Sequence, residues 1–190
     1  MSLDLHTIKY EPLDGISYPA FIPAKKAIIN LRNADDECFK LVITRTLNPV
    51  EKHSEHIDKN LRETSKVLNW AGLKFPVNLS DINKFENHNS SISVNVFGYE
   101  ILIYPLRISK HSYKRESTVN LLLISYDTKQ HYCYIKDISK LSHLQTSKHG
   151  HVTHVCFIFL NTFNFDKSFA SHYDDCKSYE AIKIEVPDKG

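Results

Sequence analysis

The chain has 190 residues, of which 42% are hydrophobic and 24% are charged, and its formal net charge is +2. This length accommodates one domain, or a domain with a small second unit. The charge is too small to predict nucleic-acid binding by itself, and no apolar run approaches the roughly 20 residues that cross a bilayer. The amino terminus lacks the charged-then-apolar pattern of a signal peptide. We therefore expect a soluble intracellular protein of the nucleus or cytoplasm, without a membrane partner, whose four cysteines are free thiols or metal ligands.

The amino-terminal part predicts an extended arm, a strand and a helix. Residues 1–24 contain three prolines and a glycine, which favour an extended arm. The run "KAIINL" is typical of a short buried strand. Asp35 then has the chemistry of a helix cap, and apolar residues recur at helical spacing from Asp36 to Leu47, before an Asn-Pro pair that ends the helix.

Two more helices and a sheet follow. Apolar spacing predicts a second helix over Ser54–Leu68, and Ser80 is the expected N-cap of a third one. Residues 92–108 and 118–138 have the alternating and continuous apolar runs of strands. Together they predict a three- or four-stranded antiparallel sheet, so the fold class is α+β.

The carboxy-terminal part has the spacing of a ββα zinc finger. Three residues that can ligate zinc occur in finger order, namely Cys156, His172 and Cys176. Two phenylalanines, Phe163 and Phe169, stand where a finger has its small core. The second hairpin ligand is replaced by Phe159. We therefore predict a finger-like shape that lacks one of the four usual ligands.

Two interpretations of this unit remain open. In one, zinc is held by Cys156, His172 and Cys176, with His154 or water in the fourth position. In the other, the finger has no metal and is held together by its phenylalanines, which are Phe159, Phe163, Phe165 and Phe169. The expected organisation is an arm (1–24), an α+β domain (25–146), a linker (147–154), the ββα unit (155–178) and a tail (179–190).

A second candidate site pairs Cys38 with His131. Cys38 lies in the first turn of a predicted helix, where the helix dipole and free backbone N–H groups favour a thiolate and an oxyanion. His131 follows an apolar strand and is a candidate general base, as is His111. The alternative is that Cys38 is a buried structural cysteine, because the acidic residues before it oppose a thiolate.

The segment Ser109–Ser117 is a polar, basic loop between predicted strands. Four cations in or beside it form the best candidate for nucleic-acid contact, and these are Arg107, Lys110, Lys114 and Arg115. The finger helix instead carries Asp174 and Asp175, which suit DNA poorly. Any DNA binding should therefore be weak, salt-dependent and insensitive to sequence.

Several segments together resemble a known family. They include "KKAIINLRNADDECFKLVITRTLNP", "LNWAGLKFPVNLSDINKFE", "HYCYIKDISKL" and the finger followed by "EAIKIEVP". They are similar to the region that precedes the exonuclease and polymerase domains in the protein-primed family B DNA polymerases of Polinton (Maverick) transposons. The resemblance implies an accessory region without either activity. It also implies a cysteine where Phe159 stands and a tryptophan where Leu41 stands, so this copy departs from the family at two positions.

A second, more limited likeness concerns the segment "DDECF" and the pair "HY". Both are similar to ovarian-tumour-type cysteine proteases, which have a papain-like fold. On this resemblance Cys38 is the nucleophile, His131 the base and Asp35 the upstream acid, whereas Cys133 stands where those proteases place the residue that orients the base.

Three functions follow as alternatives. The first is a non-catalytic accessory fragment derived from a transposon polymerase, with a zinc-finger-like module for nucleic-acid or protein contact. The second is a cysteine hydrolase, deubiquitinase-like or a polyprotein protease, that uses Cys38 and His131. The third is a fragment without a retained function.

Overall fold

A computed structural model describes most of the chain, namely residues 27–33, 35–99, 103–112, 114–126, 129–141, 154–157 and 160–176. The α+β class predicted from the sequence is confirmed. The predicted arm (1–24) and tail (179–190) lie outside the described residues, as does the linker up to residue 153.

Strands and helices are mixed along the chain. The strands are β1 (Ile28–Ile29), β2 (Ile92–Tyr99), β3 (Ile103–Arg107), β4 (Ser117–Tyr126), β5 (Lys129–Ile135), β6 (His154–Val155) and β7 (Thr162–Phe163). The helices are α1 (Cys38–Leu47), α2 (Lys59–Thr64), α3 (Ile82–His88) and α4 (Asp166–Cys176), with 3-10 turns at Ser65–Val67 and Leu79–Asp81.

The main sheet has five strands in the order β1-β5-β4-β2-β3. The prediction of a purely antiparallel sheet with three or four strands was wrong, because β2 and β4 pair in parallel at its centre. After the β2–β3 hairpin, the chain crosses back and places β4 on the other side of β2. Strand β4 runs in the same direction as β2 and opposite to β3. Because it lies beside β2 and not beside β3, its pairing is parallel.

The helix starts differ from the predicted ones for local reasons. Helix α1 begins at Cys38, because the Asp35 carboxylate accepts the Glu37 N–H at 3.1 Å and forms a turn before the helix. Helix α2 begins only at Lys59, where Asp58 accepts the Leu61 N–H at 2.7 Å as an N-cap. The predicted helix over residues 54–58 is therefore absent. Ser80 lies in the 3-10 turn before α3 and is not its N-cap.

One face of the sheet is covered by α1, α2 and α3. Phe39 of α1 is fully buried there, with edge-to-face contacts to Phe85 of α3 at 5.6 Å and to Tyr132 of β5 at 5.2 Å between ring centroids. We call this the helix face. The single tryptophan, Trp70, also packs on it, stacked on Phe85 at 4.8 Å.

The opposite face is apolar as well and is covered partly by the ββα unit. Its buried residues include Phe97, Leu122 and Cys133. Phe157 and Leu160, both from the turn between β6 and β7, pack against this cluster. We call it the hairpin face. The small carboxy-terminal unit is therefore seated on the main sheet through its turn.

Candidate metal centre

The ββα unit is formed by β6, β7 and α4. The two short strands pair antiparallel, with His154 opposite Phe163. At their turn the Cys156 carbonyl accepts the Leu160 N–H at 2.7 Å, and the Cys156 N–H donates to the Asn161 carbonyl at 2.9 Å. Leu160 has a φ of 54°, a left-handed conformation that lets the chain reverse tightly. These contacts hold Cys156 at the base of the turn.

Cys156, His172 and Cys176 converge as their spacing predicts. His172 and Cys176 are four residues apart on α4 and so lie on one face of the helix, with 3.1 Å between Nε2 and Sγ. The Sγ atoms of Cys156 and Cys176 are 3.5 Å apart. One ligand atom from each of the three residues lies within 4.8 Å of the others. The chain therefore presents a Cys-His-Cys group that is close enough to share a metal ion.

The group fits zinc in composition and size. Two ligands of a tetrahedral zinc ion bound at about 2.3 Å are separated by about 3.8 Å. The two sulfur atoms here, 3.5 Å apart, are a few tenths of an ångström closer than this. Burial, together with the adjacent Cys156 thiol, raises the pKa of Cys176 to about 12. A metal ion must therefore displace a thiol proton when it binds.

The fourth position has no protein ligand among the described residues. Phe159, like His149 and His151, lies outside the described residues, and a phenyl ring has no ligand atom. His154 was a predicted substitute, but its Nε2 contacts the Asp166 carboxylate and its ring stacks on Phe169 at 5.2 Å. His154 is thus a structural residue of the unit and is not one of the three grouped ligands.

The aromatic core of the unit is small. The ring centroid of Phe163 lies 5.7 Å from that of Phe169 and 4.7 Å from that of His172. Both phenylalanines are only half-buried. Phe165, predicted to belong to this core, is 72% exposed, so that part of the prediction was wrong. Phe163 and Phe169 therefore bury only part of their apolar surface.

The structure does not bring Cys38 and His131 together as a nucleophile and base. Cys38 is buried on the helix face beside Tyr132. His131 precedes Tyr132 in β5 and points to the hairpin face, as does its cross-strand neighbour Ile124. Burial raises the pKa of the Cys38 thiol. The alternative of a buried structural cysteine fits this placement.

Asp35 does not reach His131 either. Its carboxylate is bound by Asn33 at 3.2 Å, by the Glu37 N–H at 3.1 Å and by Arg62 at 3.3 Å. Burial opposes ionisation, but these hydrogen bonds together hold the pKa of Asp35 below its usual value. Asp35 therefore orders the turn before α1 and links it to α2.

His131 is a buried neutral histidine. Its Nε2 lies 2.6 Å from Asn30 Oδ1 and must donate, since a carboxamide oxygen only accepts. Burial lowers the pKa of His131 from 6.5 to about 4. The unfolded chain therefore binds a proton at a higher pH than the folded chain does. The contribution of neutral His131 to the free energy of unfolding is therefore fully present above pH 6.5 and is lost as the pH falls towards 4.

We expect the free energy of unfolding to fall by about 2 kcal/mol between about pH 7 and pH 5 because of His131. Urea titrations followed by Trp70 fluorescence will measure it. His131→Gln should lose most of this pH dependence, whereas His88→Gln, at an exposed position, should keep it. An unchanged slope in His131→Gln would assign the pH dependence to other groups.

Both arginines among the candidates for nucleic-acid contact form hydrogen bonds within the protein. Arg107 forms a salt bridge of 2.8 Å with Glu86, and Arg115 donates to the Glu86 carbonyl at 2.9 Å. Lys110 and Lys114 are exposed. Arg107, at the end of β3, and Arg115, in the loop, therefore both bind Glu86 of α3, and Lys110 and Lys114 are the exposed cations of the four.

A second group of ligand-type side chains was not predicted from the sequence. His53, Glu55 and His56 lie in the turn between α1 and α2, and one ligand atom from each lies within 4.8 Å of the others. The segment "HSEH" is a sequence signal for such a group. In the helix predicted from residue 54, Glu55 would point away from His56, whereas the observed turn brings the three side chains together.

Comparisons with known proteins do not identify a relative: no protein-family model, no curated protein and no solved structure matches the chain. Among the described residues, no helix has the length and apolar character needed to span a membrane.

Proposed function

We propose that this chain is an accessory module that binds one zinc ion through Cys156, His172 and Cys176. The observation that carries the proposal is the convergence of the three ligand atoms within 4.8 Å. Two thiolates and an imidazole are ligands that zinc prefers, and the helical i,i+4 pair with a hairpin cysteine is the arrangement of zinc-finger modules. The fourth position is taken by water or by a donor from a partner.

The proposed role is to hold a small metal-stabilised unit against the sheet so that it can contact another macromolecule. The resemblance to the region preceding the exonuclease domain of Polinton polymerases supports such a role. The seating of Phe157 and Leu160 on the hairpin face supports it too, because it fixes the orientation of α4 relative to the main sheet.

A protein partner suits this unit better than DNA does. Helix α4 carries three aspartates against one lysine, which are Asp166, Asp174, Asp175 and Lys167. A helix that enters a DNA groove needs positive charge, and these carboxylates would oppose the phosphates. We therefore propose protein contact as the main role of the ββα unit.

Metal analysis of the purified protein tests the zinc site. We expect the wild-type protein to retain one equivalent of zinc after dialysis against a weak chelator. The Cys176→Ala variant should retain none. Cys133→Ala is the matched control, because Cys133 is an equally buried thiol on the main sheet and should leave zinc content unchanged.

Cobalt substitution adds a spectroscopic readout of the same site. Thiolate ligands give Co²⁺ an intense charge-transfer absorption, and Cys156→Ala should reduce it sharply. If the wild-type protein retains no metal and shows no such absorption, the unit is a metal-free degenerate finger and the proposal fails.

A further inference from the structure

The turn between α1 and α2 gathers three ligand-type side chains far from the cysteine group in sequence. Glu55 Oε1 lies 4.0 Å from His53 Nδ1 and 3.5 Å from His56 Nε2. The two imidazole rings are stacked, with centroids 5.0 Å apart and planes inclined by 24°. One ligand atom from each of the three residues therefore lies within 4.8 Å of the others, at the protein surface.

The backbone of this turn is held by the body of the protein. Arg45 of α1 is buried, and its guanidinium donates to the His56 carbonyl at 2.8 Å. The His56 N–H in turn donates to the His53 carbonyl at 3.0 Å. His53 has a left-handed φ of 54°. This conformation is several-fold enriched for histidine among non-glycine residues, but it is still uncommon. The backbone positions of the two histidines are thus set before any ligand binds.

We propose that His53, Glu55 and His56 form a second metal site, which takes a divalent transition ion of the zinc class. Two imidazoles and a carboxylate suit Zn²⁺, Ni²⁺ or Co²⁺, whereas Mg²⁺ and Ca²⁺ prefer oxygen ligands alone. Ligands of a tetrahedral ion bound at about 2.1 Å are about 3.4 Å apart. The observed spacings of 3.5 and 4.0 Å come close to this value, and small side-chain rotations complete the approach.

The site is open to solvent and to a partner. The side chains of His53 and His56 are 73% and 62% exposed, and that of Glu55 is 42% exposed. Three protein ligands leave at least one coordination position for water or for a donor from another molecule. The site has no thiolate, so it binds metal more weakly than the cysteine group and does not depend on it.

A zinc titration followed by NMR tests this site through its own signals. The imidazole carbon-bound protons of His53 and His56 should shift together during the titration, both in the wild-type protein and in Cys176→Ala. Because this readout is local, it reports the second site whether or not the cysteine group holds zinc. His56→Ala should weaken the binding at least about tenfold.

Two further variants complete the test. His53→Asn removes a ligand while keeping a residue type that tolerates the left-handed conformation, and it should weaken binding to the same extent. His88→Ala removes an exposed histidine of α3 and should change nothing. The proposal is overturned if the His53 protons of His56→Ala respond to zinc at the same concentrations as those of the wild type, or if zinc shifts the exposed His88 as strongly as His53.

Discussion

Chelating zinc from the loaded protein should unfold residues 154–176 and leave the main sheet folded. We expect amide hydrogen-exchange protection to disappear along α4. The emission of Trp70 should stay unchanged, because Trp70 packs on the helix face against Phe85 and donates to the Ser65 carbonyl at 2.6 Å.

The reason is the size of the unit's apolar core. Folded units below about 40 residues usually need a metal or disulfides, because they bury too little surface to offset the entropy of ordering the chain. Phe163 and Phe169 are only half-buried. Structural zinc supplies about 10 to 16 kcal/mol in finger peptides with four ligands, and three ligands should supply part of it. The metal is therefore the largest single stabilising contribution expected here.

Thiol reactivity gives an independent readout of the same transition. After chelation, Cys156 and Cys176 should react rapidly with a thiol reagent, whereas Cys38 and Cys133 should stay protected within the main fold. If α4 keeps its exchange protection without metal, the seating of Phe157 and Leu160 on the hairpin face is sufficient to hold the unit folded.

The Cys-His-Cys group was the part of the candidate site that sequence could predict best. His172 and Cys176 are neighbours on any helix that contains them both, and a short hairpin returns Cys156 to the same place. These are local relations, so spacing alone specifies them. The role of His154 was not predictable in the same way, because its contact with Asp166 depends on how the hairpin meets the helix.

Features that depend on long-range pairing were predicted less well. Apolar runs located the strands, but they do not reveal which neighbour each strand takes, so the parallel pairing of β2 and β4 was missed. The same limit affected the pairing of Cys38 and His131. A residue's face depends on its register in β5, and the change from Tyr132 to His131 moves the side chain to the other side of the sheet.

Interactions between charged side chains could not be predicted from the sequence patterns either. Arg107 was a candidate for nucleic-acid contact beside the basic loop. Instead, its guanidinium donates to Glu86, to the Val94 carbonyl and to Asn83. No local spacing connects these residues, because α3, β2 and β3 meet only in the folded chain.

Glu86→Ala should destabilise the main fold by about 3 to 5 kcal/mol, a large share of the stability of a typical domain. The Glu86 side chain is 4% exposed and that of Arg107 is 12% exposed. Burial opposes ionisation of Glu86, but hydrogen bonds from Arg107 and from the Val94 N–H at 2.7 Å hold its pKa below the usual value. Removing the carboxylate would leave the guanidinium charge without its counter-ion and the Val94 N–H without its acceptor, while the Val94 carbonyl and Asn83 would still accept from Arg107.

Urea unfolding followed by Trp70 fluorescence measures this effect, with Glu63→Ala as the matched control. Glu63 pairs with Lys66 at 2.8 Å, but both side chains are more than half exposed, so its loss should cost less than about 1 kcal/mol. The double variant Glu86→Ala/Arg107→Ala should cost less than the sum of its single variants, since it removes both charges together. Additive costs would show that Glu86 stabilises the protein mainly through Val94.

Because the pKa of Glu86 is lowered, its contribution to the free energy of unfolding should persist above about pH 4.5 and disappear at lower pH.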